Sequence, residues 1–211
     1  MTDPQWTTQM VRELFAVLYG GHRDADGRWH PDTREAARRR RVSQRTIQRW
    51  LHGDDHAPAA IPATHLAAIL RRRRVRRADL RREELQRARQ DKMLQRAGLG
   101  RGRGNLKADY ADRGWLDKHI VLILEDQHRP LRRVAVVRDD ATTRKRTERG
   151  ARLIDIIYAD NKFLAERTRY QILADVEPWR LRLPPTHVKQ GHTQVWLASA
   201  PLPHLPVHVG R

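Results

Sequence analysis

The sequence predicts an α-helical N-terminal domain followed by a small α+β domain. Three observations carry this expectation. Apolar residues recur at helical spacing through the first half, whereas short β-rich runs appear only from Ile120 onward. Charge is also uneven: of 43 Lys+Arg and 25 Asp+Glu in the 211 residues, a formal net charge of +18, residues 1–107 carry 25 and 12 and the remainder 18 and 13. The expected layout is a helical domain over 1–75, a basic connector helix and Gly/Arg linker over 76–107, the α+β domain over 108–200 and an extended Pro-rich tail over 201–211.

Asp3 can cap the first helix, with Pro4 at its first position. Trp6, Met10, Val11, Leu14, Phe15 and Leu18 then form an apolar stripe, and Gly20-Gly21 ends it. Residues 22–31 read as a polar loop whose His22 and His30 lack a matching ligand set. From Asp32 to Gly53 the pattern is two short helices and a tight turn. Asp32 and Glu35 have the spacing of a capping box, Ala36 and Ala37 are small enough for a close crossing, Val42 lies in the turn, and Ser43 caps the second helix. Ile47, Trp50 and Leu51 share one face of that helix; Gln44, Arg45, Gln48 and Arg49 share the other. After a loop, a helix from Pro62 carries Leu66, Ile69 and Leu70 and is expected to run into Arg71, Arg72, Arg73, Arg74, Arg76 and Arg77. Asp79 caps the connector helix, whose thin stripe of Leu80, Leu85, Ala88 and Leu94 suits a connector or half of a weak dimer seam. Glycines then alternate with Arg101 and Arg103.

In the second half, 120–124 and 134–137 read as strands of a hairpin. A basic, Thr-bearing loop follows over 139–150. A helix is expected over 151–170, with Leu153, Ile156, Ile157, Phe163 and Leu164 apolar, then strands at 179–183 and 195–197.

Composition narrows the chemistry. Such a basic balance calls for a polyanionic partner, and nucleic acid fits it best. There is no Cys, so thiolate metal sites and disulfides are excluded. No apolar run approaches the roughly 20 residues of a spanning helix, and MTDPQW lacks a signal-peptide core, so a cytoplasmic, nucleoid- or replicon-associated location and no membrane partner are expected. Glu125-Asp126, Asp139-Asp140 and Asp160-Asn161-Lys162 supply the residue types of a Mg²⁺ nuclease, but the acid-x-Lys falls in a helical pattern rather than on a strand. His187, His192, His204 and His208 lie in loop or tail. No metal, cofactor or enzymatic activity is therefore assigned. The excess of Arg over Lys, with frequent Ala, points through codon usage to a GC-rich bacterial genome or its phages and plasmids.

The words VSQRTIQRW resemble the second half of the helix-turn-helix of many bacterial DNA-binding proteins. That resemblance implies duplex DNA as partner and regulation, chiefly repression, as function. Gln44, Arg45, Gln48 and Arg49 would read bases, because Arg pairs bidentately with guanine and Gln with adenine. Ser43, Thr46, Arg38, Arg41 and the six arginines over 71–77 would hold phosphates, and Arg101 and Arg103 would reach the minor groove. Where that motif usually has an apolar residue and then Gly, this chain has Arg40 and Arg41. Arg41 must take the conformation Gly accepts freely, at about 1 kcal/mol. The run AARRRRVSQRTIQRWLHG and the Arg-rich segment after it are also similar to the N-terminal half of terminal proteins from linear actinobacterial replicons, and LIDIIYADNKFLAERTRYQILADVE loosely resembles their C-terminal part. This second resemblance implies telomeric DNA, a polymerase or other replication partner, and a hydroxyl that accepts the first nucleotide. Thr142, Thr143 and Thr147 are the candidates for it. RNA binding is a third alternative, although the strand candidates hold few aromatic platforms. A homodimer is compatible with each.

Overall fold

The computed structural model describes residues 5–98, 104–184 and 194–203. They form an α+β protein whose chain groups into two compact units, the first built from Met1–Arg74, Asp126–Arg132 and Pro178–Pro201, the second from Val75–Glu125, Arg133–Glu177 and Leu202–Arg211. Residues 126–132 and 178–201, which the sequence reading assigns to the α+β domain, thus group with the N-terminal helices. The physical reason is apolar burial: Leu131, Leu181, Leu183, Val195 and Leu197 share one core with Leu14, Phe15, Ile47 and Trp50.

In the first unit, α1 spans Thr8–Tyr19. It does not begin at Asp3-Pro4, which lie outside the described residues. Thr7 caps it by accepting from Met10 N–H at 3.3 Å. The first-turn amides of Thr8 and Gln9 donate to the carbonyls of Ala57 and Asp55 at 2.9 and 3.1 Å, so a distant loop satisfies this helix end. Gly20, at φ 88°, ends the helix. Residues 22–31 are not a plain loop: β1 (Gly21–Arg23) pairs antiparallel with β2 (Trp29–Pro31), His22 opposite His30. Three-residue strands are too short to show an alternating pattern in the sequence.

Helices α2 (Thr33–Arg40) and α3 (Gln44–Leu51) follow. Their caps are as expected: Asp32 accepts from Glu35 N–H at 2.9 Å, and Ser43 from Thr46 N–H at 3.1 Å. The capping box does not close, because Asp32 N–H donates to Gly20 O at 2.8 Å and the Glu35 carboxylate turns to Arg38 and Arg39. Arg41 joins the helices at φ 55°, ψ 44°, the one non-glycine residue with positive φ among those described. Helix α4 spans Ala63–Leu70. It does not run into the arginines. The amides of Arg73 and Arg74 both donate to Leu70 O, folding 71–74 into a turn. The unit is completed by β6 (Arg180–Leu181) antiparallel to β7 (Val195–Leu197), and Ala198 N–H donates to Pro130 O at 3.1 Å.

In the second unit, α5 (Arg77–Gly98) packs against α8 (Lys162–Asp175), with Arg167 and Asp91 paired at 3.1 Å. Asp79 lies in the first turn of α5, not at its cap. Leu85 is 69% exposed and Ala88 is exposed, while Leu80, Arg87, Asp91 and Leu94 are half-buried, so the covered face differs from the stripe the sequence suggests. Helix α6 (Gly104–Asp112) has no counterpart among the elements expected from the sequence. Strands β3 (His119–Asp126) and β4 (Leu131–Arg138) form the expected hairpin, and β5 (Ala151–Ala159) lies on the other side of β3. The helix expected over 151–170 is therefore a strand and then α8. Leu153, Ile156 and Ile157 mimic helical spacing because the strand's alternation slips at Asp155, whose carboxylate accepts from Ile156 N–H at 2.7 Å. Ile120, Leu122 and Leu124 of β3 bury against Ala135, Val137, Ala151, Leu153 and Ile156. The Thr-bearing loop is likewise a helix, α7 (Ala141–Glu148), because Asp140 caps it through Thr143 N–H at 2.7 Å.

Arg41 carries the left-handed strain of the α2–α3 turn. Arg41→Gly should stabilise the protein by about 1 kcal/mol in urea unfolding, with the slope unchanged.

Candidate nucleic-acid interface

Helix α3 is fastened on one side and open on the other. Ile47, Trp50 and Leu51 are buried, while Gln44, Arg45, Gln48 and Arg49 are exposed. The side chains of Arg45, Gln48 and Arg49 make no hydrogen bond or ion pair among the described residues. Gln44 is engaged: its amide donates to Thr33 Oγ1 at 2.9 Å, linking the starts of α3 and α2. Ser43 and Thr46 hydroxyls lie 2.8 Å apart at the first turn. Trp50 lies against His65 of α4, with ring centroids 4.8 Å apart.

The far end of α3 is held by a residue that the sequence does not single out. Arg12 Nε donates to Leu51 O at 2.8 Å and Arg12 Nη2 to Gly53 O at 2.9 Å, and its guanidinium pairs with Asp55. Terminal carbonyls and the negative end of the helix dipole meet a cation that is only 12% exposed. Asp55 also accepts from Arg28 at 3.2 Å, joining the β1–β2 hairpin to the same point. No local pattern signals Arg12, because its partners lie about forty residues away.

Around the turn, electrostatics sort the arginines. Hydrogen bonds from Arg38 and then Arg39 hold the Glu35 carboxyl at about 2, so it stays ionised well below its ordinary range. Arg38 is thereby partly neutralised, whereas Arg41 projects from the turn. Of the arginine run, Arg71, Arg72 and Arg74 are exposed in the first unit and Arg73 is half-buried, while Arg76 and Arg77, also exposed, belong to the second unit. The run is thus not one continuous helical face.

The remaining sequence candidates do not converge. Thr142, Thr143 and Thr147 are on α7 of the second unit. Thr143 N–H is taken up by the Asp140 cap, Thr147 Oγ1 donates to Thr143 O at 2.9 Å, and Thr142 is exposed. Arg101 and Arg103 lie outside the described residues, as do His187, His192, His204 and His208. Glu125 pairs with Arg152 at 3.1 Å, and Asp126 accepts from His128 N–H at 2.8 Å. Among the described residues no three metal-binding side chains cluster, and no helix is long and apolar enough to cross a membrane. An aromatic group unseen in the sequence is present in the second unit: Trp115 stacks on Tyr110 at 5.5 Å, packs edge-on to Phe163 and carries Lys162 Nζ 4.4 Å from its centroid.

Comparison with known proteins returned no matching family model, no matching curated protein and no matching solved structure.

Arg12 is expected to be the chief fastening of the α3 C-terminus. Arg12→Ala should lower stability in urea unfolding by about 2–3 kcal/mol, as loss of charge-assisted bonds to partly buried acceptors does. A change below about 0.5 kcal/mol would remove it from that role.

Proposed function

We propose that the first unit binds duplex DNA as a helix-turn-helix, with α3 in the major groove, and that the chain is a sequence-specific regulator of a bacterial or phage replicon, acting chiefly by repression. One observation carries this reading. Arg45, Gln48 and Arg49 project together from a helix that is capped at its start and clamped at its end, with their hydrogen-bonding groups uncommitted among the described residues. Base readout needs such side chains on a rigid element, because a bidentate pair tolerates little misplacement. Ser43, Thr46 and Arg41, beside the start of α3, would meet the backbone, and Arg71, Arg72 and Arg74 add charge in the same unit. Gln44, already bonded to Thr33, contributes to orientation more than to base reading. The net charge of +18 supplies attraction independent of sequence.

Arg45→Ala and Gln48→Ala should each cost about 1–3 kcal/mol of discrimination between the cognate site and a site altered at the contacted base. Quantitative footprinting on the two sites measures this. Equal losses on both would assign these side chains to non-specific attraction instead.

A further inference from the structure

Helix α4 is unlike most of this chain. Although 32% of all residues are charged, its eight positions hold no Asp, Glu, Lys or Arg. Its outer side exposes Ala63 and Ala67, which are too small to fill the space beside them. A cavity of about 610 Å³, open to solvent, lies there within the first unit. Buried Trp6, Ile61 and Leu70 and half-buried Leu66 give it apolar walls. The Trp6 side is held by the backbone: Ala59 N–H donates to Trp6 O at 3.0 Å, and Thr7 bridges to Pro58.

One end of the cavity is positively charged. Arg71, four residues after Ala67, and Arg74 both line it and are exposed, and neither side chain has a hydrogen-bond or carboxylate partner among the described residues. No carboxylate is among the lining side chains. The backbone carbonyls at that end are already engaged: Arg71 N–H donates to Ala67 O at 2.9 Å, and the amides of Arg73 and Arg74 donate to Leu70 O at 2.8 and 2.7 Å. The cavity thus offers donors and positive charge at its head and apolar surface along its body. A second cavity, of about 440 Å³ beside α1, differs: its Arg12 and Arg28 are both met by Asp55.

Small-molecule sites usually enclose roughly 300–1,000 Å³ and combine apolar walls with a few convergent polar groups. A concave site of that size suits one molecule better than a flat membrane, and two guanidinium groups can both donate to one carboxylate. We propose that this cavity binds an amphipathic carboxylate, such as a medium-chain fatty acid, with its head on Arg71 and Arg74 and its body along Leu66, Ala67 and Leu70. That binding does not require DNA. Its consequence rests on the duplex-DNA reading above and deepens it: the carboxylate neutralises charge that Arg71 and Arg74 bring to the duplex, so the ligand is an effector that weakens DNA binding.

Sodium decanoate, kept below its micelle concentration, is the probe for full-length protein in titration calorimetry. Acetate supplies the head without the body, and decyltrimethylammonium the body with the opposite charge. Decanoate should bind saturably and the other two should not. Arg71→Gln with Arg74→Gln, and separately Ala67→Phe, should each weaken decanoate binding roughly ten-fold, as loss of charge-assisted bonds or of the apolar slot requires. Arg72→Gln should not, because Arg72 is exposed outside the cavity. All variants should melt near the wild-type temperature, since they alter exposed side chains. With a fluorescent duplex, saturating decanoate should weaken wild-type binding and lower the slope of log affinity against log salt by about 0.9, the value for one surrendered phosphate contact, relative to equal acetate. Ala67→Phe should bind duplex and not respond to decanoate. No saturable decanoate binding, or binding that the cavity variants leave unchanged, would overturn the site and leave the helix-turn-helix reading standing. The site would also fall if the protein ignored free decanoate but sedimented with phosphatidylglycerol vesicles, or if Ala67→Phe turned a dimer that ignores decanoate into monomers. Decanoate binding with unchanged duplex affinity would overturn the effector role alone, and a wild type that binds decanoate but no duplex would overturn the DNA reading and that role, leaving the site.

Discussion

The first unit depends on the fastening of α3 by Arg12. A short helix has little stability of its own; eight residues leave most of its terminal amides and carbonyls without intrahelical partners. Ser43 satisfies the N-terminal end locally. The C-terminal end cannot be satisfied locally, since His52 is extended and offers no cap. Arg12 does it from α1, bonding Leu51 O and Gly53 O while Asp55 balances its charge. The loop that carries Asp55 in turn satisfies the first amides of α1. Helix α1 thus closes the end of α3 and the loop after α3 closes the start of α1, and the exposed Arg and Gln of α3 inherit a fixed direction. Glu13, one residue along α1, extends the arrangement: though 3% exposed, it accepts both the amide and hydroxyl of Ser199 at 2.9 and 2.7 Å. This bond brings the C-terminal strand pair into the unit that Arg12 organises.

How much of this is legible in the sequence follows from the range of each interaction. The caps at Asp32 and Ser43, the left-handed Arg41, the buried face of α3 and the β3–β4 hairpin are set by residues within a few positions of one another, and a local pattern reveals them. The β1–β2 hairpin escapes because its strands are shorter than any detectable alternation, and β5 because the slip at Asp155 turns period two into a false helical spacing. Helix α7 is hidden by its composition, with a Thr pair and several cations, until the cap at Asp140 is recognised. The grouping of 126–132 and 178–201 with the N-terminal helices is a matter of long-range burial, which no local pattern encodes. The candidate interface divides the same way: its exposed face is legible, while the bonds of Arg12 join segments far apart in sequence.

Arg40 and Arg41 depart from the expected motif together, yet they do different things. Arg41 accepts backbone strain and remains exposed at the turn. Arg40 is half-buried, and its Nε is enclosed without a hydrogen-bond partner among the described residues. In both places positive charge is retained where a neutral residue would fold more easily. That is consistent with a surface shaped by attraction to a polyanion, with base readout superimposed on a strong non-specific background.

The central claim is that α3 reads duplex sequence. Selection from a pool of randomised duplex DNA, with bound fragments sequenced over successive rounds, tests it most directly. One short motif containing guanine and adenine steps should be enriched, and the enrichment should disappear when Arg45 and Gln48 are both replaced by Ala although DNA is still retained. Retention of the pool without enrichment by the wild-type protein, or the same motif selected by the double variant, would contradict it.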